Sequence, residues 1–161
     1  MAGSRWESEK IGSATYQFDQ LKTQGNYLGQ KHNLNNNLQG QNWWYRGQLS
    51  NLNTQSDLSQ STFARVHQSL GITFGKSWWL AKYQSENNKI KDSVGLLDRL
   101  SQKFIEYEAA AGIGDSTAIF GQLGWRYRET DSVVMSRMER TGVSRDLFLK
   151  GQFLNFSRLR P

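Results

Sequence analysis

The chain has no cysteine. Disulfides, thiolate nucleophiles and cysteine-based zinc sites are therefore excluded. Proline occurs once, at position 161, so nothing interrupts an extended backbone before the final residue. No run of about 18 apolar residues is present, which excludes a transmembrane helix. The opening MAGSRWESEK lacks the apolar stretch of a secretory signal. Met1-Ala2-Gly3-Ser4 reads as an expression leader, and the expectation is a segment of something longer whose export signal lies elsewhere. Apolar residues are also scarce, at 37% against the roughly 45–50% of soluble domains, a range that also counts Gly. Six tryptophans offset that scarcity, and the combination suits thin apolar surfaces beside large solvated ones.

The net charge is +6, but the 20 basic residues are dispersed among 14 acids. A nucleic-acid partner would want Lys and Arg clustered on one element. The pattern instead implies a basic solvated surface or lumen, with no nucleic acid.

What the chain does have is period-2 alternation. Thr15–Leu21 alternates through Tyr16 and Phe18. Tyr27–Leu38 sets Leu28, Leu34 and Leu38 against Asn33, Asn35 and Asn37. Asn42–Asn53 sets Trp43, Tyr45 and Leu49 against Trp44, Arg46 and Gln48. Leu58–Phe74 and Trp78–Tyr83 continue the pattern, the latter with Trp79 opposed to Trp78 and Lys82. Lys103–Asp131 holds two strands around a glycine-rich turn. Ile105, Tyr107 and Ala109 oppose Glu106 and Glu108 in the first strand, and Leu123, Trp125 and Tyr127 oppose Arg126 and Arg128 in the second. Asp146–Arg158, carrying Leu147, Leu149 and Lys150, reads as the last strand. Residues 84–102 and 129–145 lack apolar alternation and read as long polar loops, the first with a short helix capped by Asp92 or Ser93. The prediction is an all-β fold: one antiparallel up-and-down meander of about eight or nine long strands, over residues 1–161.

Three features together point to part or all of a transmembrane β-barrel. The strands approach the roughly 9–11 residues needed to cross a bilayer. Apolar and polar faces alternate, as they do between lipid and lumen. Short connections alternate with longer ones, as on the two sides of an outer-membrane barrel. Trp43, Trp44, Trp78, Trp79, Trp125 and Tyr127 lie near strand ends and are expected to form interfacial girdles. Arg46, Arg65, Glu106, Glu108, Arg126, Arg128 and Lys150 are expected to line the lumen and set its electrostatics. A soluble β-sandwich that binds carbohydrate through exposed Trp is the alternative, since alternation is common to any half-buried sheet.

The segment EYEAAAGIGDSTAIFGQLGWRYRETDSV, residues 106–133, resembles hairpins of large outer-membrane β-barrel proteins of Bacteroidota-type Gram-negative bacteria. A Glu-Tyr-Glu strand, a Gly-x-Gly-Asp-Ser turn and an Arg-Tyr-Arg strand carry the likeness. It implies an outer-membrane location and architecture, with the bilayer and other barrel segments or subunits as partners, and no substrate. Nine strands would be an odd number for a bacterial barrel, which fits an internal segment.

No catalytic set stands out, and neither enzyme activity nor a cofactor is expected. Glu106 and Glu108 are about 6.6 Å apart along a strand, within the spacing of glycosidase carboxylates. Arg126 and Arg128 on the neighbouring strand are better read as neutralising them. Gly112–Thr117 has the glycines of a phosphate loop but no following Lys or helix. His32 and His67 sit on separate strands with no pattern of metal-ligating neighbours, and Asp115 and Asp131 stand alone.

Overall fold

The computed structural model describes residues 2–23, 27–92, 98–114, 120–134 and 137–152. Among these residues nine strands form: β1 (Ala2–Ser8), β2 (Gly12–Thr23), β3 (Tyr27–Gln39), β4 (Trp43–Gln55), β5 (Ser59–Phe74), β6 (Ser77–Asp92), β7 (Asp98–Gly114), β8 (Phe120–Val134) and β9 (Arg137–Gln152). They make one antiparallel sheet in chain order, each strand paired with the next. The all-β meander expected from the alternation is thus present. The sheet is open, since β1 and β9 each have a single neighbour among the described residues.

The two long polar loops are corrected. β6 runs on to Asp92 and β7 starts at Asp98, so only 93–97 separate them. Likewise β8 runs to Val134 and β9 starts at Arg137. The lost signal has a physical reason. Apolar alternation marks a strand only where one face leaves water, whereas the backbone ladder needs no apolar side chain. Asn87↔Lys103 and Lys89↔Ser101 pair through their backbones and put polar side chains on the face that is apolar further along the same strands. Register shifts at Ile90/Lys91 and Ser132/Val133 lie in these same stretches. Of the two cap candidates for the expected helix, Asp92 is in a strand, while Ser93 falls outside the described residues. The 115–117 part of the glycine-rich turn and the end of the last strand also lie outside them.

Register fixes two faces, because side chains alternate with a period of 2. One row reads Trp43, Ile72, Trp79, Ala111, Leu123, Leu149 across β4–β9. The next reads Tyr45, Leu70, Ala81, Ala109, Trp125, Leu147. This is the apolar face. The opposite face carries Arg46, Ser69, Lys82, Glu108, Arg126 and Asp146 in one row.

An ordinary domain places its apolar residues between two layers. This sheet has one layer and no such core among the described residues. Among the described residues the sole buried apolar side chain is Ala110, and it lies on the charged face. On the apolar face even inner-strand residues stay open, with Leu123 62% and Trp79 59% exposed.

Candidate functional site

The charged face of β5–β9 is a ladder of ion pairs set by strand register. Glu108 on β7 stands directly between Lys82 on β6 and Arg126 on β8. Lys82 donates from Nζ to Glu108 Oε1 at 3.0 Å. Arg126 donates from Nη2 and Nε to Glu108 Oε2, at 2.8 and 3.2 Å. Both carboxylate oxygens are therefore held, and Glu108 is buried. One row further, Arg128 donates to Glu106 Oε2 from Nη2 and Nε, at 2.6 and 2.8 Å. Arg65 Nε reaches Glu86 Oε1 at 2.7 Å across β5 and β6. Opposite charges directly across an antiparallel pair stabilise it, and the two-toothed arginine forks also fix the geometry.

Glu106 and Glu108 are thus engaged by three cations, and neither is a free acid or base. The seven charged residues expected to share one face do share it: Arg46, Arg65, Glu106, Glu108, Arg126, Arg128 and Lys150. Lys82 and Glu86 belong with them, and sequence reading left both inside a strand end and a supposed loop. Continuing the β6 alternation from Trp78 through Lys82 to Glu86 is the signal that finds them.

Aromatic rings border this ladder on the side of the short connections 40–42 and 75–76. Trp44 lies across Gly71 on the next strand, where a Cβ would come within 2.3 Å of its Nε1. Trp78 lies across Gly112 in the same way, at 2.5 Å from its ring carbons, and Phe148 across Gly124 at 2.2 Å. Each glycine is the space its ring occupies. Cations cap two of these rings: Arg46 over Trp44 at 5.1 Å, and Arg126 and Lys150 over Phe148 at 5.6 and 5.4 Å.

Register divides the six aromatic residues expected to form girdles between the two faces. Trp43, Trp79, Trp125 and Tyr127 are on the apolar face, but Trp44 and Trp78 are on the charged one. Adjacent residues of a strand point to opposite sides, so neither Trp pair can serve a single surface. The carbohydrate platform imagined for Trp43-Trp44 and Trp78-Trp79 is split for the same reason.

The apolar face carries its own pattern. Trp79, Trp125, Leu70, Leu123 and Leu147 surround a shallow depression of about 390 Å³ floored by Ala81, Ala109 and Ala111. Tyr83, Tyr107 and Tyr127 then form a row across β6–β8, with ring centroids 5.1 and 6.2 Å apart. Gln68 and Arg145 enter this row and Ser85 and Glu129 the next, and beyond Val66 and Ile105 the face carries His32, Asn51, Asn87, Lys103 and Asp131. His32 bonds Tyr16 on this face, with 2.8 Å from Nδ1 to Oη. His67 is on the other face, so the two histidines cannot share a metal ion.

Comparison with known proteins finds no match to a family model, a curated protein or a solved structure.

Proposed function

We propose that the chain is a stretch of outer-membrane β-barrel wall, non-catalytic, with its apolar face against lipid and its charged face toward a polar lumen. One observation carries the reading: a single-layer sheet leaves a contiguous apolar face uncovered. Such a face is unusual on a soluble monomer, where apolar patches rarely exceed a few hundred Å².

The extent of the face supports the reading. From the row of Phe74 and Ile113 to the row of Val66 and Ile105 is eight residues of strand. At about 3.3 Å per residue this is roughly 26 Å, or about 20 Å once the strands tilt as barrel strands do. The apolar belt of such barrels is about 25 Å tall. Trp43 and Trp79 lie toward one border and the Tyr83–Tyr107–Tyr127 row toward the other. Both ring types suit an interface because their apolar bodies carry a polar tip. β4–β8 continue past this band, and there the face that was apolar carries Asn51, Asn87, Lys103 and Asp131, as strands entering water would. Open edges at β1 and β9 call for further strands, since an unpaired edge cannot lie in hydrocarbon.

A soluble two-layer sandwich would need a second sheet over the apolar face, and the strands of the described residues all belong to one sheet.

The test uses the tryptophan pairs. In single-Trp variants folded into vesicles with brominated acyl chains, Trp79 and Trp125 fluorescence is quenched, and Trp44 and Trp78 are spared. Equal quenching of Trp78 and Trp79, or a monodisperse monomer without detergent, overturns the proposal.

A further inference from the structure

We infer that the far end of the charged face holds a binding site for one neutral sugar ring. The site is a groove of about 260 Å³ across β5–β8, lined by Phe63, Glu86, Asn88, Gln102, Phe104 and Thr130. It overlaps the end of the ion-pair ladder at Glu86, where the strands have passed the apolar band. The inference needs this face to meet water, and does not depend on what covers the other.

The lining mixes two kinds of group in one small space. Phe63 on β5 and Phe104 on β7 supply apolar rings from adjacent rows. Each is steadied by an arginine: Arg65 over Phe63 at 5.3 Å and Arg128 over Phe104 at 5.7 Å. Asn88 and Gln102 stand directly opposite each other on β6 and β7. Among the described residues, neither amide side chain is spent on another protein group. Glu86 is oriented by Arg65 at 2.7 Å, which fixes where its carboxylate accepts.

A ligand must answer both halves. A purely apolar one would strip water from two amides and a carboxylate without replacing their hydrogen bonds, a costly exchange. A charged one gains little, because Glu86 is neutralised by Arg65 and Arg128 by Glu106, while Lys103 and Asp131, which also line the groove, stand opposite each other on β7 and β8 with opposed charges. A pyranose has apolar C–H faces for the rings and a rim of paired donors and acceptors for the amides and carboxylate. The volume is below the roughly 300–1,000 Å³ of pockets for drug-sized ligands, so the site takes one ring and leaves the rest of any chain outside.

The experiment is a titration of the folded chain in a zwitterionic detergent, since glycoside detergents would compete. Glucose, galactose, mannose and N-acetylglucosamine are each added while the Asn88 and Gln102 side-chain amide resonances are followed by NMR. Saturable binding in the millimolar range or tighter by at least one sugar is expected. Phe104→Ala weakens it by roughly tenfold or more, which is about 1.4 kcal/mol. Asn88→Ala and Gln102→Ala, which leave both rings in place, also weaken it and cover the case in which the Phe variant does not fold. No saturable shift with any of the four sugars overturns the inference, as does affinity unchanged in both amide variants. Lipid quenching of Trp79 stays intact in either case, so failure here is separable from failure of the wall assignment.

Discussion

The two faces of β6–β8 share one backbone ladder and differ in everything their side chains do. On one, Glu108 is 7% exposed and both of its oxygens are bound by cations from the flanking strands. On the other, Trp79 and Leu123 are more than half exposed. Burying such a side chain is worth about 1.5–3 kcal/mol. The comparison teaches where the fold is complete. The charged face closes its own accounts between neighbouring strands, while the apolar face leaves its stabilisation to whatever medium it meets.

The comparison breaks most readily by placing the same charge on each face. Leu70→Arg puts a guanidinium in the middle of the apolar band. In lipid vesicles this destabilises the folded state by about 2–4 kcal/mol. Gln84→Arg puts it on the charged face, in register with Glu106, and changes stability by less than about 0.5 kcal/mol, the usual range for a surface substitution. Urea titrations of folding into vesicles measure both. Equal costs would mean that the two faces meet the same solvent.

Sterics sharpen the contrast next. A methyl at Gly112 would lie 2.5 Å from the Trp78 ring and 2.7 Å from the Gly121 carbonyl oxygen. The oxygen is backbone and cannot swing away, so Gly112→Ala costs about 1–3 kcal/mol through forced repacking. Trp78→Ala made together with it recovers only the part due to the ring, which a double-mutant cycle isolates.

The ion-pair ladder predicts a smaller and graded effect. Glu108→Gln removes the charge between two cations and costs roughly 1–2 kcal/mol, below the figure for a fully buried pair because Lys82 and Arg126 are partly in water. Glu106→Gln removes one partner from the more exposed Arg128 and costs under about 1 kcal/mol. Denaturant midpoints should keep that order, and high salt should lower the Glu106 contribution first.

The sequence made the strands legible where one face leaves water. Tyr27–Leu38, Leu58–Phe74 and Lys103–Asp131 could be read from alternation alone, and the sharing of a face by Glu106, Glu108, Arg126 and Arg128 followed from parity. Residues 84–92, 98–102 and 137–145 were misread because they carry few apolar residues at either parity, which leaves no period to detect. The tryptophans were misassigned differently. Parity already separated Trp44 from Trp43 and Trp78 from Trp79, yet their nearness to strand ends suggested a common border. Register across strands shows what each ring covers, and a single strand cannot contain that information. The Phe63–Phe104 groove was beyond reach for the same reason, since its lining comes from four strands.

The smallest expected effect tests the border of the apolar band. Gly121 lies on the apolar face opposite Ile113, and a Cβ there would meet nothing within 4 Å. Its φ is not among the positive values, which belong to Gly12, Gly75 and Gly114. Alanine can therefore adopt the same backbone. Gly121→Ala stabilises by about 0.4–1 kcal/mol, because the unfolded chain loses freedom while the folded one loses nothing. That gain is the same in water and in lipid. Gly121→Leu separates the two media. If the position faces hydrocarbon, the added carbons contribute further, at up to about 0.8 kcal/mol for each CH₂ removed from water. If it faces water, Leu gains nothing over Ala. Measured in vesicles, a Leu variant more stable than the Ala variant extends the lipid-facing band to the row of Phe74 and Ile113. Equal stabilities place its edge one row further in, at Trp79 and Leu123.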